Sequence, residues 1–242
     1  MGKIYVVGLG PGDENMMTAQ AREALEESDT IVGYKTYTAL IRDAFPYKEF
    51  IENGMRKEAE RCENCIALAQ EGRTVALVCS GDAGVYGMAS LMLEIADRED
   101  FTAVEVIPGV TAALSGAALL GAPLGHDFCV ISLSDLLTPW VVIEKRLRFA
   151  AEADFCMALY NPGSSRRTEH LKRACEILLQ VLPEQTACGY VRNIGRDGCE
   201  QEVCILKELS CIQADMFMTV FIGNSATRIL GGRLVTPRGY LL

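Results

Sequence analysis

Three glycine-bearing segments carry the residues whose types and spacing suit a small ligand. Gly8-Leu9-Gly10-Pro11-Gly12-Asp13 follows the apolar run Ile4–Val7. Ser80-Gly81-Asp82-Ala83-Gly84-Val85-Tyr86-Gly87 follows Thr74–Cys79, and Pro108-Gly109-Val110-Thr111 follows Ala103–Ile107. The first segment is not a dinucleotide fingerprint. That pattern needs a glycine at position 13, where Asp13 stands. Pro11 also removes a backbone N–H that a pyrophosphate would use, and Asp13 places a negative charge beside it. The expected ligand touches backbone closely and lacks a phosphate cluster. A tight surface turn without a ligand is the competing reading of this segment taken alone.

The elements around these segments have a consistent grammar. Each apolar run reads as a strand, each glycine segment as a turn, and each is followed by a helical pattern. Thr18 opens the first, with Ala21, Ala24 and Leu25 on one face and Arg22, Glu23, Glu26 and Glu27 on the other. Thr111 opens the third, the small-residue stretch Ala112–Leu120. Thr30–Tyr34 reads as a further strand, and Thr36–Ala44 and Met55–Gln70 as helices. Strands that end in glycine turns feeding helices predict a parallel sheet with one ligand site at the carboxyl ends of its strands.

The grammar changes near Gly121-Ala122-Pro123-Leu124-Gly125, which places a domain boundary between residues 121 and 122. Beyond it, Phe128–Leu133, Asp154–Leu159, Thr186–Arg192, Glu200–Leu206 and Phe217–Ile222 read as strands. Pro139–Ala151 and Arg167–Leu182 read as helices. The expected fold class is α/β: an N-terminal domain over 1–121 with a mainly parallel sheet and a C-terminal domain over 122–242 with a mixed sheet.

Composition narrows the function classes. The chain has 242 residues, half of them hydrophobic, enough for two domains with real cores. Lys plus Arg number 23 and Asp plus Glu 32, a formal net charge of −9 with no basic tract, which argues against nucleic-acid binding. No apolar run is long enough to span a bilayer, and Met1-Gly2-Lys3 leads directly into a strand rather than a signal peptide, so the cytoplasm is the expected compartment. The ten cysteines are scattered and read as free thiols. Cys62 and Cys65 form a C-x-x-C inside a helical pattern with no second ligand pair, which favours packing over a metal or redox site. No protein-bound metal is expected.

Taken together and in order, the motifs resemble those of the tetrapyrrole methylases that act on cobalamin and sirohaem precursors. The resemblance runs from Ile4 to about Ile222. It rests on Gly8–Asp13 with Thr18, Ser80-Gly81-Asp82 with Val85-Tyr86-Gly87, Ile107-Pro108-Gly109-Val110-Thr111-Ala112, and Tyr160-Asn161-Pro162. Leu124–Phe128, Ser132–Trp140, Gly33–Tyr37 and Val191-Arg192-Asn193 resemble the branch that methylates carbon 17 of precorrin-3B, or its cobalt analogue, with ring contraction. Ala83 departs from the pattern, which usually has Pro after Gly-Asp.

The resemblance implies two domains with the active site in a cleft between them, a homodimer, S-adenosylmethionine as methyl donor and a tetrapyrrole acceptor. Carried over residue by residue, the cofactor contacts are Pro11, Ser80, Gly81, Asp82, Val85, Thr111, Ala112, Asn161 and Ile194. Glycines allow close backbone approach, and a carboxylate accepts hydrogen bonds from ligand hydroxyl or amino groups. Ring contraction needs an acid–base group, for which His126 and Asp127 are the candidates, with Ser132, Ser134 and Asp135 as polar neighbours. The competing reading makes His126 a surface residue and Asp127 a turn cap. The substrate's carboxylates call for cations beside turns, and Lys35, Arg56, Lys57, Arg166, Arg167 and Arg192 fit that placement; ordinary solvated charge is the alternative for each. Tyr34, Tyr86 and Trp140 are candidates to stack on the flat ring or, equally, to pack in the core. Related alternatives are a sister methylase acting on another ring carbon and an rRNA methyltransferase, the latter opposed by the net charge. A ligand-binding scaffold without turnover is the alternative from another class.

Overall fold

Five short runs build the first sheet: β1 (Ile4–Gly8), β2 (Thr30–Tyr34), β3 (Glu49–Asn53), β4 (Val75–Cys79) and β5 (Val104–Ile107). In the computed structural model they pair in the order β3-β2-β4-β1-β5, every pair parallel. Residues 2–54 and 57–240 are described. The chain divides into two compact units, Met1–Ala112 and Ala113–Leu242.

Alternation along the strands explains why the first unit has helices on both faces. Ile4, Val6, Val75 and Leu77 pack against Cys62, Cys65 and Ile66 of α3 (Glu58–Gln70) and Met92 and Ile95 of α4 (Ala89–Arg98). Their neighbours Tyr5, Val7, Ala76 and Val78 pack on Ala21 and Leu25 of α1 (Ala19–Glu27), with Ile41 and Phe45. The Cys62–Cys65 pair is thus buried helix packing, as expected. Burial raises both thiols, that of Cys62 to about 12.

Between β2 and α3 the chain differs from the expected elements. The helix expected over Thr36–Ala44 is one turn, α2 (Lys35–Thr38), and the chain then continues as turns. Strand β3 was not expected. It is a sheet edge with Glu49 and Glu52 among its five residues, so the apolar run that marks a buried strand is missing. The start of the helix expected from Met55, and Arg56 with it, lies outside the described residues; the helix is seen from Glu58.

In the second unit, β7 (Phe128–Ser132), β8 (Cys156–Tyr160), β9 (Ala187–Arg192), β10 (Glu200–Ile205) and β11 (Met218–Ile222) form a mixed sheet in the order β10-β9-β11-β8-β7. β7 and β8 are parallel, and β11 runs antiparallel to both β8 and β9. Strands β7, β8 and β9 therefore end at the same edge. One face carries α6 (Trp140–Glu152), α7 (His170–Leu178) and the short α8 (Leu206–Leu209), through Ile143, Leu147, Leu171, Leu178, Leu206 and Leu209. The other face meets α5 (Ala112–Leu120). A side chain at Gly116 would come within 3.0 Å of Phe221 and Ile194, and one at Gly189 within 3.2 Å of Leu120. This packing moves the division to residues 112/113, ahead of the 121/122 break expected from the glycines. A small second sheet joins β6 (Gly121–Ala122), β12 (Arg228–Leu230) and β13 (Arg233–Val235).

Candidate functional site

The three glycine turns of the first unit follow β1, β4 and β5, which are adjacent strands, so parallel pairing alone brings the turns together. They are joined by hydrogen bonds. Gly10 N donates to Gly81 O (3.0 Å) and Gly81 N to Gly10 O (2.7 Å). Asp82 Oδ1 accepts from Gly84 N (2.8 Å) and Val85 N (2.9 Å), and its Oδ2 accepts from Gly109 N (2.9 Å). Thr18 donates to Pro108 O (3.3 Å) and accepts from Ala21 N (3.1 Å), so the cap of α1 also ties the first turn to the third.

This geometry changes the reason for the glycines. A Cβ at Gly109 would stand 2.2 Å from Gly81 O, and one at Gly8 would stand 2.7 Å from Gly109 N. Gly8 and Gly109 are small because protein backbone packs there, not to admit a ligand. Gly81 differs: its φ of +73° excludes most side chains, while a Cβ would find nothing nearer than 3.9 Å. Asp82 likewise uses three of its acceptor positions on backbone N–H groups. Pro11 is buried, Ser80, Val85, Thr111 and Ala112 are half-buried, and Tyr86 is exposed in a left-handed conformation (φ 55°). Lys35 is exposed at the carboxyl end of β2, on the same sheet edge as the turns.

In the second unit, the shared end of β7, β8 and β9 gathers Ser132, Ser134, Asn161, Arg192 and Ile194. Asn161, at φ 54°, donates from Nδ2 to Ser132 Oγ (3.0 Å). Ser132 Oγ also accepts from Ser134 N (3.2 Å), and Ser134 Oγ accepts from Arg167 Nη1 (3.1 Å). Tyr160 Oη accepts from Ala113 N (2.6 Å), fixing the start of α5 to the end of β8.

The structure does not bring all of the expected site residues together. His126 and Asp127 precede β7, whereas Ser132 ends it. At about 3.3 Å per residue the two groups are roughly 20 Å apart. They do not form one acid–base site with Ser132, Ser134 and Asp135. His126 instead accepts from the Asp127 backbone N–H at Nδ1 (2.9 Å), and Asp127 is exposed; both line a pocket of about 400 Å³ with Arg238. Arg192 is engaged by Asp215 (3.1 Å) and the Gln213 carbonyl (3.1 Å), so its guanidinium is committed within the unit. Trp140 packs edge-on against His170, with Arg173 over its ring at 4.1 Å, which removes it as a stacking platform. Tyr34 packs edge-on against Tyr37. The side chain of Ile194 is buried, leaving its backbone as the part able to meet a ligand. Arg166 is exposed with no ion pair among the described residues.

Sequence reasoning missed His170, which heads α7 and lies beside Asp135, its Nε2 3.0 Å from Asp135 Oδ2. The only signal was a histidine on the apolar face of an amphipathic helix. Its contact, with Arg167 adding to it, holds the Asp135 carboxyl below the ordinary carboxylate range. Among the described residues, no group of three or more His, Cys, Asp or Glu side chains could hold a metal ion.

The profile of the Tetrapyrrole (Corrin/Porphyrin) Methylases matches residues 3–210. A probable cobalt-factor III C(17)-methyltransferase of Salmonella typhimurium is 49% identical over 99% of this chain and 100% of its own. A precorrin-3B C(17)-methyltransferase of a Sinorhizobium species is 42% identical over 99% of this chain and 97% of its own. The crystal structure of the methyltransferase CobJ superposes with a TM-score of 0.89 at 39% identity, over 98% of this chain and 100% of that one. With the ordered motifs and the two α/β units, these similarities establish that the chain belongs to the tetrapyrrole (corrin/porphyrin) methylase family.

Proposed function

We propose that the protein transfers a methyl group from S-adenosylmethionine to carbon 17 of precorrin-3B or its cobalt analogue and promotes contraction of the macrocycle, a step of cobalamin biosynthesis. The observation that carries this reading is the 49% identity, spanning both chains almost completely, to a relative named for that reaction. The acceptor carbon belongs to an enamine-like system. Its electron pair forms the new C–C bond as the S–C bond of the sulfonium breaks, and the positive charge passes to the macrocycle. This step needs alignment more than a strong base.

The three joined turns form a rigid, backbone-lined support whose Asp82 staple keeps Gly81 and Val85 in place for the methyl donor. Pro11, Ser80, Thr111 and Ala112 complete the donor's contacts in the first unit. Lys35 and Arg166 are the exposed cations for the substrate's carboxylates, Ser132 and Ser134 its hydroxyl contacts, and Tyr86 the aromatic contact. A homodimer working in the cytoplasm, without nucleic acid, completes the reading. No helix among the described residues is long and apolar enough to cross a membrane.

The test is incubation of the protein with S-adenosylmethionine and the tetrapyrrole. Mass spectrometry counts the added methyl, and ¹³C NMR locates it and detects the contracted ring. Methylation at another ring carbon would reassign the protein to a sister activity, and donor binding without turnover on any precursor would make it a scaffold.

A further inference from the structure

His170 is 8% exposed; its Nε2 faces Asp135 Oδ2 at 3.0 Å, and its Nδ1 has no hydrogen-bond partner among the described residues. A buried imidazole with one nitrogen unsatisfied and the other turned to a single carboxylate is costly unless that contact has a use. Its orientation is fixed on the other side. Trp140 packs edge-on at 5.1 Å, and Arg173 covers Trp140 in turn. The pair is also graded in exposure: the His170 side chain is 10% exposed and that of Asp135 34%. The imidazole is the inner member, and the carboxylate is the one that reaches solvent. Asp135 stands just past the carboxyl end of β7, on the edge that carries Ser132, Ser134 and Asn161. The next two residues, Leu136 and Leu137, are 63% and 98% exposed, an apolar shoulder beside the charge.

We propose that Asp135 is the base for ring contraction and that His170 is its positioning residue. This rests on the reaction assigned above and takes a substrate whose meso carbon bears a hydroxyl. Methyl transfer leaves positive charge on the macrocycle, which acidifies that hydroxyl. The O–H bond then breaks and its proton passes to Asp135. The freed electron pair forms the C=O bond as the adjacent C–C bond migrates to the neighbouring electrophilic ring carbon. That carbon's π pair moves onto its ring nitrogen, cancelling the positive charge, and Asp135 later releases its proton to water. No oxidant or reductant is consumed. The exposed leucines shield the carboxylate against the flat ring, and the His170 contact, with Arg167 adding to it, keeps it ionised and aimed.

The experiment follows methyl transfer by mass and contraction by the ¹³C signal of the meso carbon as alcohol becomes ketone, in wild type, Asp135→Asn and His170→Gln. In Asp135→Asn the ratio of contraction to methyl transfer is expected to fall at least about 100-fold, the lower end of what a positioned base supplies. His170→Gln keeps an N–H donor and is expected to retain more contraction than His170→Ala. Loss of His170 frees Asp135 to titrate nearer its ordinary value, so in both variants the acid limb of contraction moves to higher pH. An unchanged ratio in Asp135→Asn, or equal loss of both steps in every variant with an unmoved pH profile, would overturn the proposal. Failure of the wild type to methylate any tetrapyrrole would instead overturn the assigned reaction.

Discussion

Replacing Asp82 by Asn changes one atom of a side chain that accepts three backbone hydrogen bonds, and its cost can be worked from the geometry. Oδ1 keeps its bonds from Gly84 N and Val85 N, but the new amide nitrogen faces Gly109 N at the place of a 2.9 Å bond, donor against donor. A hydrogen bond to a charged group contributes about 1.5–3 kcal/mol. The carboxylate is half-buried, so the lower end applies, and the substitution should cost about 1.5–2 kcal/mol. Asp82→Ala loses all three bonds and should cost about 3–4 kcal/mol. At roughly 2–4 °C per kcal/mol for a chain of this size, melting should fall by about 3–8 °C for Asn and about 6–16 °C for Ala. Because the lost bond is the one between the second and third turns, donor affinity should fall more than stability implies, by about tenfold for Asn at a temperature where both proteins are folded. Differential scanning calorimetry and titration calorimetry with S-adenosylmethionine measure the two effects. An Asn variant that melts with the wild type and binds the donor equally well would refute the role given to Asp82.

Gly109→Ala should be worse than Asp82→Asn in both assays, because its Cβ would meet backbone at 2.2 Å rather than a movable side chain; circular dichroism melts of the two variants compare them directly. His126→Ala should leave contraction within about threefold of wild type, since His126 stands at the far end of β7 from Ser132 and Asn161, and the product assay decides it. A thiol reagent should titrate Cys199 and Cys211 quickly in the native protein, with the seven buried cysteines reacting only on unfolding and Cys129 between. Glu52 is held below its ordinary value of 4.5 by Thr38 and Arg42. Its contribution to stability is present above that pH and is lost as pH falls through its folded value. Glu52→Gln should therefore flatten the acid side of a denaturation profile.

The run of strands, turns and helices was legible wherever a strand is buried on both faces or a helix has one apolar side. β1, β4 and α5 fall at or within a residue or so of their expected positions because burial demands a continuous apolar run or a small-residue face. The same logic hid β3, a charged edge strand, and the short strands β6, β12 and β13, which carry too few residues to show a period. The meeting of the three glycine turns was foreseeable, since adjacent parallel strands bring their carboxyl ends together. The family was equally open to reading, because its motifs are local strings.

Polar roles were not open in the same way. Sequence neighbours such as His126 and Ser132 lie at opposite ends of an extended strand, whereas Asp135 and His170, thirty-five residues apart, are in contact. What the amino-acid order determined by itself is what depends on a residue and its near neighbours: burial, turn shape, helix start. Which charge meets which is a matter of through-space distance between elements, and only the packed tertiary structure decided it. The same holds for whether a glycine makes room for a ligand or, like Gly8 and Gly109, for another stretch of the protein's own backbone.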